Sequence, residues 1–231
     1  MGDPLIITYC FDFDSGRDIT YQVYLDRDTL NLLNGDAQEV PAWTEISYKQ
    51  CRICPLSKND TRTCPVAQNL VHVTKKFSNV VSHETVSISV TTQDRTYKKR
   101  TTIDEALSSL MGVIMVTSGC PVMDYLKPMA RFHLPFASPE ETTIRTLSMY
   151  LMAQYFLKGN TDSIHVKLEE LNKIYSQVSV VNNDFSSRLA EAGEKDANLS
   201  ALSNLDCHAT LVTMTIEETL AEFRQYYSAY V

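Results

Sequence analysis

The sequence predicts an α+β protein: a small antiparallel sheet of two hairpins with a cysteine-rich loop between them, followed by a C-terminal helical bundle that ends in a long helical hairpin. Three observations carry that prediction. Apolar residues alternate with period two in two early stretches, they recur every three to four residues after Thr102, and three of the six cysteines fall in the gap between the two early stretches. The whole chain, 1–231, reads as one domain, with 1–101 as the sheet and loop and 102–231 as the helical part.

The first hairpin is written in Leu5, Ile7, Tyr9, Phe11 and Phe13, then in Ile19, Tyr21, Val23 and Leu25, with Asp14-Ser15-Gly16-Arg17 as the turn. Val86, Ile88 and Val90 begin the second. After Thr91 to Arg95 its return strand, Thr96-Tyr97-Lys98-Lys99-Arg100, is basic, as befits an outer strand.

Between the hairpins, Cys64-Pro65 marks a helix start that would turn Val66, Leu70, Val73 and Phe77 inward. Thr102 with Glu105 has the spacing of a capping box for a helix over 103–117, which Gly119 closes. Ser138, Pro139 and Glu141 open a helix running to about Lys158, with Gly159-Asn160 as its stop. Two long helices follow. Leu168, Leu171, Tyr175, Val178, Asn182, Phe185 and Leu189 form a heptad-like stripe with a polar residue on its seam, and Leu202, Leu205, Ala209, Val212, Ile216, Leu220, Phe223 and Tyr227 form another. Ala192-Gly193-Glu194-Lys195 joins them as a helical hairpin. The stripes have two possible partners: the rest of this chain, or a protein partner or second copy bound through the C-terminal helices.

Composition narrows the class. With 44% hydrophobic residues, the 231-residue chain can bury a core without covalent staples. No apolar run approaches the ~20 residues of a membrane span. The opening MGDPLIITYC lacks the basic-then-apolar pattern of a secretory signal, so a cytoplasmic location is expected. Net charge is −7, but residues 41–100 carry 10 basic against 4 acidic side chains. Acidic surroundings would repel a phosphate backbone outside that stretch, which argues against a nucleic-acid partner.

The cysteines are not equivalent. Cys10 and Cys207 lie in strand and helix patterns and read as small core hydrophobes. Cys51, Cys54 and Cys64 are spaced C-x2-C-x9-C, and Cys120 follows in Ser118-Gly119-Cys120-Pro121. A two-residue gap lets two sulfurs converge on one ion through a tight turn, a third thiol adds a ligand, and Cys120 completes a tetrahedral set. Cys64 and Cys120 each precede a proline, which places them at helix N-termini, where amides and the helix dipole would lower the thiol pKa and favour the thiolate a metal requires. Four thiolates suit zinc, and they also suit a 4Fe–4S cluster. Two disulfides, a redox CxxC pair and unliganded structural thiols are the remaining readings of the same residues.

The run 126–136 places Lys127, Arg131 and His133 among apolar residues and prolines. Arg131 and His133 are candidates for an anion pocket or, in the case of His133, for a partner of the metal site. The plainer reading makes His133 a hydrogen-bonded linker residue and pairs Arg131 with Glu140 or Glu141. The five histidines, His72, His83, His133, His165 and His208, share no metal-ligand spacing, and there is no glycine-rich phosphate loop, GxSxG elbow or HExxH helix.

Trp43 and Glu45 ahead of Gln50-Cys51-x2-Cys54-Pro55-Leu56, then Cys64-Pro65, Ser118-Gly119-Cys120-Pro121 and Pro128 to Phe136, form a set of motifs spread over most of the chain. This set resembles a family of uncharacterised bacterial proteins of similar length. The resemblance implies a bacterial cytosolic origin and brings no catalytic residues.

Three functional expectations follow. The first is a non-catalytic protein in which Cys51, Cys54, Cys64 and Cys120 hold a structural zinc ion that ties the loop to the helical half, with interaction or regulation as its use. The second is a redox or sensor protein holding a 4Fe–4S cluster on the same thiols. The third is an enzyme with a pocket at Cys120, Arg131 and His133, where a thiolate nucleophile would meet two cationic groups.

Overall fold

The computed structural model describes residues 2–33, 40–158, 168–193 and 196–229. Strands β1 (Leu5–Phe13) and β2 (Asp18–Leu25) form the first hairpin, in the register Leu5 to Leu25 and Phe11 to Ile19. Strands β3 (Thr85–Thr91) and β4 (Thr96–Thr102) form the second, and the antiparallel sheet has the order β2-β1-β3-β4. Alternation decides its faces: Ile7, Tyr9 and Phe11 on β1 and Val86, Ile88 and Val90 on β3 are buried on the inner side. Cys10, out of phase with these, is half-buried and accepts a weak hydrogen bond from Thr20 Oγ1 at 3.6 Å. The core position expected for it is thus corrected by the pleat.

β4 occupies an edge, and its Lys98, Lys99 and Arg100 discourage further strand addition. Arg100 reaches Asp14 in the opposite hairpin's turn through two hydrogen bonds of 2.9 and 2.7 Å.

Helix α1 (Pro65–Phe77) buries Val66, Leu70, Val73 and Phe77 as the spacing predicts, and the Phe77 ring meets Phe11 edge-on at 4.9 Å. Helix α2 (Ile103–Thr117) is the central apolar element, with 11 of its 15 residues buried. Its capping box does not form. Thr102 makes no side-chain cap, and the Glu105 carboxylate is instead drawn outward to Thr101 Oγ1 and Lys99 Nζ. A charged partner on the adjacent strand outcompetes a backbone amide one turn back.

After Cys120 the chain makes a 3-10 turn (Met123–Leu126) and a short helix α3 (Lys127–Arg131). Helix α4 (Pro139–Lys158) does have its capping box: Glu141 N–H donates to Ser138 Oγ at 3.1 Å and Ser138 N–H to Glu141 Oε2 at 2.8 Å. The expected stop at Gly159-Asn160 lies outside the described residues, as does His165.

Helices α5 (Leu168–Glu191) and α6 (Asp196–Phe223) pack against each other. Gly193 follows α5 at a φ of 80°, in the left-handed region, while Glu194 and Lys195 of the expected turn lie outside the described residues. The α5 stripe is buried from Leu171 to Leu189, and that of α6 is buried at Leu202, Ala209, Val212 and Ile216. Toward the end of α6 the stripe emerges, leaving Leu220 and Tyr227 exposed. Cys207 faces solvent as well, correcting the core position expected for it: it sits two residues before Ala209, on the opposite side of the helix. One continuous apolar cluster runs from β1 to α6.

Candidate metal centre and adjoining cavity

Residues 41–64 are laid down by backbone hydrogen bonds. A 3-10 turn (Ala42–Thr44) begins the segment, Ile46 N–H donates to Arg62 O at 3.0 Å, and Cys64 N–H donates to Thr44 O at 2.8 Å, so Trp43 and Thr44 sit beside the start of α1. Cys51 and Cys54 flank the tight turn that their spacing predicts, with Cys54 N–H donating to Cys51 O at 3.0 Å. Asp184 on α5 clasps that turn, accepting from Arg52 N–H at 2.8 Å and from Arg52 Nε at 3.0 Å.

Sequence spacing missed the residue that ties this loop to α5. Arg188 is 1% exposed. Its Nη1 donates to Trp43 O at 2.9 Å and to Glu45 O at 2.8 Å, and its Nη2 lies 3.4 Å from Ile46 O. Its buried Nε has no partner, and among the described residues no carboxylate pairs with it. A signal existed: Arg188 is three residues after Phe185 and one before Leu189, so it sits on the buried face of its helix.

The structure brings the four motif cysteines within electrostatic reach of one another. Cys51 feels Cys64 and Cys120, Cys64 feels Cys54, and Cys120 feels both Cys64 and Cys54. Arg188 acts on Cys51 and Cys64, favouring their thiolates. Cys64 is the residue before α1 and Cys120 precedes the 3-10 turn, with Cys120 O accepting from the Met123 and Asp124 amides, each at 3.0 Å. Among the described residues no group of three or more His, Cys, Asp or Glu side chains stands as close as a bound ion would gather them.

The expected lowering of the thiol pKa values at the helix starts is overturned by burial. Desolvation pushes the Cys51 thiol up to about 12 and raises Cys64 and Cys120. The amides of Ala67 and Val66 at Cys64, and of Met123 and Val122 at Cys120, oppose this without reversing it.

Arg131 and His133 are held by other partners. Arg131 is exposed, its guanidinium 5.3 Å over the Phe132 ring. His133 Nε2 lies 2.7 Å from Tyr9 Oη and 3.4 Å from Ser109 Oγ, and Tyr9 Oη is 3.2 Å from Ser109 O. Burial and the Arg145 charge push the His133 pKa down to about 3, so its imidazole is neutral. These hydrogen bonds tie the segment after α3 to β1 and α2.

Two cavities flank His133 and Arg145. The first, of about 220 Å³, lies among α2 to α6 and is lined by Val113, Met129, Val178, Asn182 and Leu205 among others. The second, of about 350 Å³, lies between the sheet and the 130–134 segment and includes Arg131. Cys120 is not among the lining residues of these two cavities, while His133 lines both. No helix among the described residues is long and apolar enough to cross a membrane.

No curated protein and no solved structure matches the chain. A family model does, over residues 7–228, and so spans the loop, all four motif cysteines and both long helices. By that match the chain belongs to the DUF6901 family, a domain of unknown function.

Proposed function

We propose that the chain is a non-catalytic metal-binding protein of the cytoplasm, in which Cys51, Cys54, Cys64 and Cys120 hold a structural zinc ion. The ion would bind the loop between the hairpins to α1 and to the end of α2. The observation that carries the reading is Arg188, a guanidinium buried to 1% exposure beside Cys51 and Cys64 with no carboxylate partner among the described residues. A buried cation costs several kcal/mol unless a counter-charge stands nearby. Three carbonyls take up part of its donor capacity, yet Nε remains unpaired. Four thiolates around a divalent ion carry a net negative charge that answers it.

The donor set fits zinc in type and number. With Zn–S near 2.3 Å, tetrahedral sulfurs lie roughly 3.8 Å apart, so the thiols would draw together by side-chain rotation on binding. Metal binding would also reverse the effect of burial and deprotonate them. A second reading, a 4Fe–4S cluster in a redox or sensor protein, is favoured by one observation: the thiols are coupled electrostatically without being gathered at single-ion spacing. A cluster binds each thiolate on a different iron and so holds the sulfurs farther apart.

We assign the protein's use to interaction through the C-terminal helices. Met214 and Leu220 on α6 and Met152, Tyr155, Phe156 and Leu157 on α4 are exposed and apolar, and a second copy is the occupant we assign, since a two-fold dimer covers the same surface on both chains.

Untagged protein purified without oxygen decides the centre. One zinc per chain by elemental analysis, with no visible colour, is expected. Iron with acid-labile sulfide and a brown colour would turn the assignment to the cluster, and no stoichiometric metal at all would remove both. Light scattering in line with size exclusion should give twice the 26.1 kDa chain mass; a monomer at all concentrations would remove the self-association.

A further inference from the structure

The larger cavity, between the sheet and residues 130–134, is lined by none of the motif cysteines and stands outside the metal reading. Three separate elements each bring an arginine to it: Arg95 from the β3–β4 turn, Arg131 from the end of α3 and Arg145 from α4. Asp94 is the one carboxylate among the described lining residues, so three positive charges face a single negative one. The chain as a whole is acidic, with 28 Asp and Glu against 21 Lys and Arg, and the cavity reverses that sign.

Like charges gathered in a concave site repel one another and focus a field that draws in anions. No protein acid answers them. Among the described residues none of the three arginines forms an ion pair, Asp94 included. Glu141, which acts on Arg145, accepts from the Ser138 amide in the α4 cap. His133 is neutral and adds no charge of its own.

The cationic wall is nonetheless held in place. Arg145 Nη2 donates to Phe132 O at 2.9 Å and to Met129 O at 3.2 Å, and the Arg131 guanidinium rests 5.3 Å over the Phe132 ring. The turn bearing Arg95 is closed by Thr92, whose N–H and Oγ1 donate to Arg95 O at 2.9 and 3.2 Å. Gln93, also in the wall, accepts from Arg27 Nη2 at 3.3 Å, which brings a fourth cation to the rim. The rest of the lining is largely apolar, with Leu5, Ile7, Ala130, Leu134 and the exposed Phe132. A volume of about 350 Å³ lies at the lower end of the roughly 300–1,000 Å³ of small-ligand sites, so the occupant is small.

We propose that this cavity binds a small phosphate monoester, its phosphate held among Arg95, Arg131 and Arg145 and its apolar group laid against Leu134 and Phe132. The net charge of the wall matches a dianion. A phosphate ester carries about −1.5 to −2 at neutral pH and offers three acceptor oxygens, one for each guanidinium, where a carboxylate brings one charge and two oxygens. The apolar group gains by leaving water.

Isothermal titration of the full chain at neutral pH with phenyl phosphate, inorganic phosphate, benzoate and phenol tests this. Phenyl phosphate should bind tightest, with inorganic phosphate and benzoate each about tenfold weaker and phenol weaker still. Arg95→Gln and Arg131→Gln, at exposed positions, should each weaken phenyl phosphate by about tenfold, and Arg62→Gln, exposed but outside the lining, should leave it unchanged. Equal weakening by all three variants would reduce the effect to bulk charge and overturn the proposal. So would benzoate or inorganic phosphate binding as tightly as phenyl phosphate, or no binding of phenyl phosphate at all. Vesicles containing phosphatidic acid separate a soluble ester from a lipid headgroup: co-sedimentation with them by a chain that does not bind phenyl phosphate would overturn the proposal in favour of a membrane surface. Metal content is measured separately, so failure here leaves the thiolate centre untouched.

Discussion

Arg188 Nη1 donates to the carbonyl oxygen of Trp43 at 2.9 Å, joining residues 145 positions apart in an interior site. The contact gives the loop its place: Trp43, Glu45 and Ile46 present their carbonyls to one guanidinium, and the cysteine turn at 51–54 is clasped by Asp184 one helical turn earlier on α5.

Replacing that guanidinium should therefore do two things. Arg188→Met leaves buried carbonyls unsatisfied and should cost on the order of 3 kcal/mol in urea unfolding. It should also lower the metal content, because the counter-charge for the thiolates is gone. Arg188→Lys, which keeps the charge but not the fork, should retain more metal than Arg188→Met at comparable destabilisation. Equal metal content in all three proteins would show that the cation is irrelevant to the centre.

The six cysteines should separate into two groups under single Cys→Ser substitution. Changes at Cys51, Cys54, Cys64 and Cys120 should each remove most of the bound metal and lower the unfolding midpoint, since a structural site loses its closed shell with one ligand. Changes at Cys10 and Cys207, half-buried and exposed, should leave metal content unchanged and stability within about 0.5 kcal/mol. Elemental analysis and denaturant titration read both.

Stability should fall as pH drops from about 6.5 toward 3, in part through His133. Its pKa is depressed to about 3 in the folded chain, so in this interval the unfolded state takes up a proton that the folded state does not. The contribution is fully present above the unfolded value and is lost at up to about 1.4 kcal/mol per pH unit below it. His133→Gln should flatten the pH dependence between 4.5 and 6.5; an unchanged slope would show that the ring titrates normally.

Two helix starts should respond differently to the same change. Ser138→Ala removes a reciprocal cap and should cost about 1 kcal/mol. Thr102→Ala, at a residue with no capping bond, should cost less than half as much. Thermal unfolding of the two variants checks the contrast.

Gly119→Ala should destabilise through the backbone alone. Gly119 has a φ of 84°, and an added Cβ would meet nothing within 4 Å. The expected cost is about 1 kcal/mol, with Cys120 displaced and metal affinity lowered as a further readout.

Much of the architecture was legible in local sequence. The two hairpins, the Cys64-Pro65 start of α1, the limits of α2 and the inward stripe of α5 follow from periodicity and caps, because burial on one face of a strand or helix writes itself into the residues that are buried. So does the tight turn of Cys51 and Cys54, whose spacing already contains its geometry. What the chain did not announce were matters of competition between distant groups. Glu105 leaves its cap for Lys99 and Thr101 once β4 stands beside α2. Burial overrides the helix-start amides at Cys64 and Cys120, and how deeply a sulfur is buried depends on everything packed around it. Arg188, Arg145 and Asn182 take their meaning from carbonyls, acids and apolar walls contributed by other elements, and only the folded arrangement decides which of their polar atoms find a partner and which do not.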